Sequence, residues 1–188
     1  MTIARIKAVG FCAHYSRQGD WAFDYARRLA QKHGLQLNVF HFLDDPYAEQ
    51  EQPSPLYSRQ DLARIAFEKE RELRMYYDER AGDFVDVGFR LCFDDSWREL
   101  HRCLHEREFQ VLVLGKPSHE ARFCKESIET FADTFISPVV LVGPDRPDEF
   151  RLNSRAALMI DRFDIPEERR GAVEIPTRSS AVWHGQGH

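Results

Sequence analysis

Hydrophobic residues in this chain occur in short runs that alternate with longer, helix-like patterns. The strand-like runs are residues 3–13, 35–43, 84–93, 111–114 and 139–142, and the last two are unbroken apolar stretches typical of strands buried on both faces. Between the runs, apolar residues recur every three or four positions, as they do on one face of an amphipathic helix. The pattern predicts five strands that alternate with four helices.

The best-defined unit of this pattern lies between residues 109 and 144. The run VLVL ends at a turn, GKPS, whose last residue, Ser118, can cap a helix. The last apolar position of that helix is Phe135, and we expect Ser137-Pro138 to end it before the last strand. A strand, a tight turn, a helix and a second strand together form a right-handed crossover of a parallel sheet.

The order of the elements predicts an α/β fold with a five-stranded parallel sheet, doubly wound, with helices on both faces. Residues 1–144 form this domain. Residues 145–188 form a C-terminal extension whose one apolar run, residues 156–160, is too short for a core of its own. Ligands of such sheets bind at the carboxyl ends of the strands where the winding reverses. This rule selects the loops after the first and fourth strands, near His14 and Gly115.

Composition and charge limit the classes of function. The 188 residues are 43% hydrophobic and 30% charged, which is ordinary for a soluble globular protein. A formal net charge of −5, with no basic stripe, argues against nucleic acid or an anionic membrane as a partner. The first residues lack the apolar core of a signal peptide, and no run approaches membrane-spanning length. We therefore expect a cytoplasmic protein.

Neither a metal site nor a catalytic constellation is predicted. Four cysteines match no zinc or disulfide spacing, so we expect reduced, mostly buried thiols at Cys12, Cys92, Cys103 and Cys124. His101 and His105 have the i,i+4 spacing of a metal pair, but no third ligand completes it, which favours solvent-facing histidines. The aspartate pairs at 44–45 and 94–95 could bind Mg²⁺, yet each can also cap a turn or helix, which we favour. No hydrolase elbow or P-loop is present.

Four segments resemble the universal stress protein family. The first strand and helix are similar to the family's opening, in which a strand ends at Asp-x-Ser and a helix carries an Ala-Leu-x-x-Ala pattern. FHFLDD resembles the second strand, FQVLVLG the fourth strand with its final glycine, and FISPVVLVGP the last strand. The resemblance covers roughly residues 3–143. It implies the fold of the adenine nucleotide alpha hydrolases.

The resemblance also implies a nucleotide site, and the chain departs from its pattern. ATP-binding members have an aspartate at the end of the first strand and a loop of glycine, two residues, glycine, nine residues, glycine, then Ser or Thr. Here His14 stands in place of the aspartate, and Ser118 stands in place of the second glycine. Glu126-Ser127 is the nearest match to the final pair, so Gly115 alone remains of the three loop glycines. A carboxylate near a triphosphate is repulsive by about 1 kcal/mol or more. The implied site is therefore degenerate.

Two functions are consistent with these features. The first is a cytoplasmic stress-response module that is not an enzyme, has an unidentified protein partner and needs no cofactor. It would form a homodimer by pairing the edge of its last strand: Val139, Val140, Leu141 and Val142. The alternative is an ATP- or AMP-binding switch or slow ATPase. A pocket for another small ligand is a third, weaker hypothesis.

In the nucleotide-binding alternative, eight residues are candidates for the site: Cys12, His14, Ser16, Phe42, Gly115, Lys116, Ser118 and Ser127. Lys116 and Ser118 would contact an anion, because a lysine supplies charge and a hydroxyl donates a hydrogen bond. Cys12 and His14 lie near the end of the first strand, where they could form a pH- or redox-sensitive pair. The simpler interpretation, which we favour, is a buried thiol beside a hydrogen-bonded histidine.

Overall fold

The computed structural model describes residues 5–50, 56–170, 173, 174 and 176. The strands are Ala8–Cys12 (β1), Gln36–Phe42 (β2), Val87–Cys92 (β3), Val111–Gly115 (β4), Arg122–Phe123 (β5), Glu126–Ser127 (β6), Val139–Val142 (β7) and Phe150–Leu152 (β8). The helices are Arg17–His33 (α1), Arg59–Ala81 (α2), Ser96–His105 (α3), Ile128–Thr134 (α4), Ser154–Ala157 (α5) and Glu167–Arg170 (α6), with a 3-10 turn at Ile160–Arg162. Within these residues, no helix has both the length and the apolar character that crossing a bilayer requires.

One sheet organises the chain, with strand order β3-β2-β1-β4-β7-β8. The first five of these strands are parallel, as the sequence predicts, and β8 is an antiparallel sixth strand that was not predicted. Gly10 on β1 pairs with Asn38 on β2 and with Leu112 on β4. The winding direction reverses between β1 and β4, so their carboxyl ends border a crevice.

The two faces of the sheet carry separate hydrophobic cores. Alternate residues of β1 face opposite sides: Val9 and Phe11 belong to the core that contains residues of α1 and α2, and Cys12 belongs to the other. The second core also holds residues of α3, α4 and the β5–β6 hairpin, including Leu100 and Phe131. Burial on both faces explains why the central strands are continuous apolar runs.

The segment after β4 differs from the prediction. Instead of a helix that begins at Ser118, residues 122–127 form a short antiparallel hairpin, and α4 begins only at Ile128. The hairpin buries Phe123, whose ring lies 4.5 Å from that of Phe131. Cys124 and Lys125 adopt positive φ angles of 49° and 70° at its turn, which a helix does not allow. The apolar residues at spacings of three to four, which predicted one helix, therefore belong to two elements, the hairpin and α4.

The C-terminal extension packs onto the domain. Phe150, Leu152, Phe163 and Ile165 are buried in the same core as α1. Tyr25 of α1 donates a hydrogen bond of 2.7 Å to the carbonyl of Phe163. The later part of the extension, residues 177–188, lies outside the described residues.

The dimer prediction assumed a free edge on β7, and the structure corrects that assumption. The outer side of β7 pairs with β8, from Val140 opposite Leu152 to Val142 opposite Phe150. The reason is that the extension itself supplies the covering strand. Pairing through Val139–Val142 therefore has no open edge to use, while homodimerisation as such stays a prediction.

Candidate functional site

The crevice between β1 and β4 is narrow where the phosphate loop was expected. The backbone of Gln18 and Gly19, at the start of α1, lies directly against Gly115. A Cβ atom at residue 115 would stand only 2.7 Å from the Gln18 carbonyl oxygen and 2.8 Å from the Gly19 nitrogen. Gly115 is therefore needed for the close packing of α1 on the end of β4.

A tyrosine side chain occupies the crevice. The ring centroid of Tyr47 lies 4.2 Å from that of His14, after β1. Its hydroxyl donates a 3.0 Å hydrogen bond to the carbonyl oxygen of Gly115, at the end of β4. Phe123 of the hairpin meets the ring edge-to-face at 4.9 Å, and only 8% of Tyr47 remains exposed. The phenol thus spans the place where the winding rule puts a ligand.

The loop that carries Tyr47 is anchored at both sides. Asp45 accepts a 2.9 Å hydrogen bond from the Tyr47 backbone nitrogen, and Asp44 accepts one of 3.2 Å from the Ser96 nitrogen. The Pro46 carbonyl accepts a 2.8 Å bond from the Cys124 nitrogen in the hairpin. Both aspartates therefore serve as caps of local structure, which is the role that we favoured.

His14 and Ser16 are joined to each other and to the start of α1. A hydrogen bond of 2.7 Å links His14 Nδ1 and Ser16 Oγ, and Ser16 Oγ also accepts a 2.9 Å bond from the Gly19 nitrogen. Ser16 is thus the N-cap of α1. Burial lowers the pKa of His14 from its usual value, and the charge of Asp45 only partly opposes this.

The remaining predicted site residues have other roles in the fold. Cys12 is fully buried, and that burial raises the pKa of its thiol well above the ordinary value. Phe42 is a core residue stacked at 6.3 Å on Phe40. Ser118 is exposed, and Ser127 caps α4 by accepting a 3.1 Å hydrogen bond from the Thr130 nitrogen. The structure therefore brings His14 and Gly115 to one crevice, whereas Ser127 serves as a helix cap.

The predicted cation of the site is neutralised within the fold. Lys116 is nearly buried, and its ammonium group forms an ion pair with the carboxylate of Glu129 on α4. Its backbone nitrogen also donates to the Val142 carbonyl at 2.9 Å. Neither Tyr47 nor Glu129 was singled out from the sequence. For Tyr47, the signal in the sequence is an aromatic residue within the polar segment that follows β2.

Lowering the pH from 7.5 to 5.5 is expected to lower the melting temperature. His14 and His41 are partly buried, and desolvation lowers the pKa of each below 6.5. The unfolded chain takes up these protons near pH 6.5, before the folded chain does. The stability contributed by the neutral imidazoles is thus complete above pH 6.5 and is lost as pH falls towards the lowered pKa values. Thermal unfolding followed by circular dichroism across this range measures the effect.

The variant His14→Gln should flatten that pH profile, because it removes one of the two histidines whose pKa burial lowers. The comparison variant His105→Gln changes an exposed histidine on α3. Equal slopes for wild type and His14→Gln would contradict the assignment.

Comparison with solved structures identifies the fold. A universal stress protein, UspA, from Lactobacillus plantarum aligns over 74% of this chain and 99% of its own, at 18% identity and a TM-score of 0.51. A universal stress protein family member from Burkholderia pseudomallei covers 73% and 96% at 20% identity and a TM-score of 0.49. A universal stress protein in complex with cAMP covers 74% and 99% at 15% identity and a TM-score of 0.48.

No protein-family model matches the sequence. No curated protein sequence matches it significantly. The fold is that of the universal stress proteins, which confirms the resemblance at the level of architecture. At such identities the structural matches carry no information about ligand or activity.

Proposed function

We propose that this chain is a universal-stress-protein-like module that acts in the cytoplasm without hydrolysing a nucleotide. The observation that carries the proposal is the position of Tyr47 between His14 and Gly115. A nucleoside bound in the crevice would need the volume of this ring. It would also have to replace the hydrogen bond to Gly115 and the contacts to Phe123.

Charge in the crevice supports the same proposal. A phosphate that drew Lys116 away from Glu129 would leave that carboxylate close to its own negative charge. The position of Tyr47 and the carboxylate of Glu129 both support the proposal that the crevice does not take a triphosphate.

The surface of α2 gives such a module a means of contact with a protein. A groove of about 690 Å³ runs along this helix, lined by Tyr15, Phe67, Arg71, Glu72, Met75 and Tyr76 among others. Phe67 and Met75 are 69% and 67% exposed, and their neighbours carry both signs of charge. Exposed apolar side chains rimmed by charges are typical of protein contact surfaces.

The alternative is an ATP- or AMP-binding switch in which the loop of residues 44–48 moves away. One observation favours it: the Tyr47 ring packs against the His14 imidazole within the crevice, where a planar base could replace it. The two functions differ in whether the wild-type chain binds adenine nucleotides at all.

Thermal unfolding with ATP, AMP and cAMP, each with and without Mg²⁺, separates the two. We expect no shift for the wild-type protein. A ligand at a hundred times its dissociation constant would add about 2.7 kcal/mol, or about 5 °C or more for a domain of this size. A shift of that magnitude in the wild type would overturn the proposal in favour of the switch.

The variant Tyr47→Ala tests whether the phenol is what excludes the ligand. The matched control is Tyr57→Ala, which removes an exposed tyrosine that belongs to neither hydrophobic core. A nucleotide-dependent shift in Tyr47→Ala but not in Tyr57→Ala would assign the exclusion to Tyr47. Isothermal titration calorimetry of the wild type and both variants gives the stoichiometry.

A further inference from the structure

Three side chains that can bind a metal ion meet beneath the carboxyl end of β3, outside the crevice. Cys92 is the last residue of β3, and Glu99 and Cys103 lie on α3. The two thiol sulfurs and one Glu99 carboxylate oxygen all lie within 4.8 Å of one another. Glu99 and Cys103 are four residues apart, so they lie on the same side of the helix. The sequence does not reveal this site, because most of a helix separates Cys92 from Cys103.

Burial distinguishes this cluster from carboxylates on a surface. Cys92 is 2% exposed and Cys103 is fully buried. The Glu99 side chain is 14% exposed, which gives the cluster one side near solvent. An ion could therefore reach the thiols from the Glu99 side while the rest of the site stays enclosed by the core.

The Glu99 carboxylate is already oriented by a cation. Arg102 donates to one Glu99 oxygen from Nε at 3.1 Å, and its terminal nitrogen donates to the same oxygen at 2.5 Å. Arg102 is itself held by Glu106 at 3.0 Å. Hydrogen bonds of this kind fix the orientation of metal-binding carboxylates.

We propose that Cys92, Glu99 and Cys103 bind one divalent d-block cation of the zinc type. Thiolate and carboxylate donors suit Zn²⁺, and three protein ligands leave the fourth tetrahedral position to a water molecule. On binding, both thiols form bonds to the metal through sulfur and release their two protons to solvent. Two thiolates and one carboxylate around a dication carry a net charge of −1, and the guanidinium of Arg102 offsets it.

Titration of the reduced, metal-free protein with Co²⁺ provides the first measurement. We expect one ion per chain and a sulfur-to-cobalt charge-transfer band with the intensity of two thiolates, which Zn²⁺ then abolishes by displacement. Zn²⁺ should also raise the melting temperature, since an ion that binds only the folded chain stabilises it. A band that appears only as the far-ultraviolet circular dichroism of the fold is lost would overturn the proposal.

Single variants locate the ion. Cys92→Ser and Cys103→Ser should each halve the band and weaken binding by about 100-fold or more, whereas Glu99→Gln should keep the band and weaken binding by about tenfold or more. The control Cys124→Ser removes the partly exposed thiol that lies 3.5 Å from Ser96 Oγ, and it should bind as the wild type does. If a serine variant fails to fold, Glu99→Gln, at a partly exposed position, keeps the test decisive. Unchanged affinity in Glu99→Gln, or loss of the band in Cys124→Ser, would overturn the proposal.

Discussion

Replacing Asn153 by alanine is expected to lower the free energy of unfolding by about 4 kcal/mol. Asn153 is buried where the C-terminal extension joins the sheet. Its Oδ1 accepts from the nitrogens of Val139 at 3.1 Å and Ala156 at 2.9 Å, and its Nδ2 donates to the carbonyls of Ala132 and Ser137, both at 2.9 Å. The alanine variant would leave these four buried backbone groups without that partner.

Urea unfolding followed by circular dichroism measures this loss as a lower midpoint at unchanged slope. Ser154→Ala is the matched control, because Ser154 is the exposed neighbour, and its effect should stay within about 0.5 kcal/mol. A loss below about 1 kcal/mol for Asn153→Ala would mean that water replaces the amide, and the extension would then be less firmly held than the contacts indicate.

Gly115→Ala is expected to destabilise the fold by about 3 kcal/mol, with or without any nucleotide. The added Cβ would meet two backbone atoms of α1, the Gln18 oxygen at 2.7 Å and the Gly19 nitrogen at 2.8 Å. Backbone atoms cannot move aside as a flexible side chain can, so the helix would have to shift away from β4. The same unfolding experiment measures the loss.

Gly34→Ala is the informative comparison for this variant. Gly34 ends α1 at a φ of 62°, and no atom lies within 4 Å of the Cβ that alanine would add. Its cost should therefore be only the conformational penalty, about 1 kcal/mol. If the two glycine variants lose equal stability, the close approach of α1 to β4 is not what requires a glycine at 115.

The central sheet could be predicted because each of its strands is recognisable from a short stretch of the sequence. The runs at 111–114 and 139–142 are apolar at every position, and each is followed directly by a glycine. In contrast, β8 has three residues, and only Phe150 and Leu152 are apolar. A strand that short forms because β7 offers it a partner, and no property of its own sequence indicates that pairing.

The candidate site could be predicted only in part, for a related reason. The winding rule correctly brought His14 and Gly115 to one crevice, because it depends on strand order. The position of Tyr47 depends on its loop closing over the hairpin through Pro46 and Cys124, which are far apart in the sequence. The pairing of Lys116 with Glu129 likewise needs α4 to start late, and the helical spacing of the sequence concealed that start.

The capping of β7 by β8 has a consequence for how copies of this chain can associate. Beyond β8, Glu174 forms an isolated bridge to Arg151, at one position along that strand. Among the residues that the structure describes, β3 is the opposite border of the sheet, and no strand pairs with its outer side. Two molecules that paired their β3 strands with each other would be related by a two-fold axis. Such a pairing uses the β3 border of both molecules, so growth through β3 alone ends at a dimer.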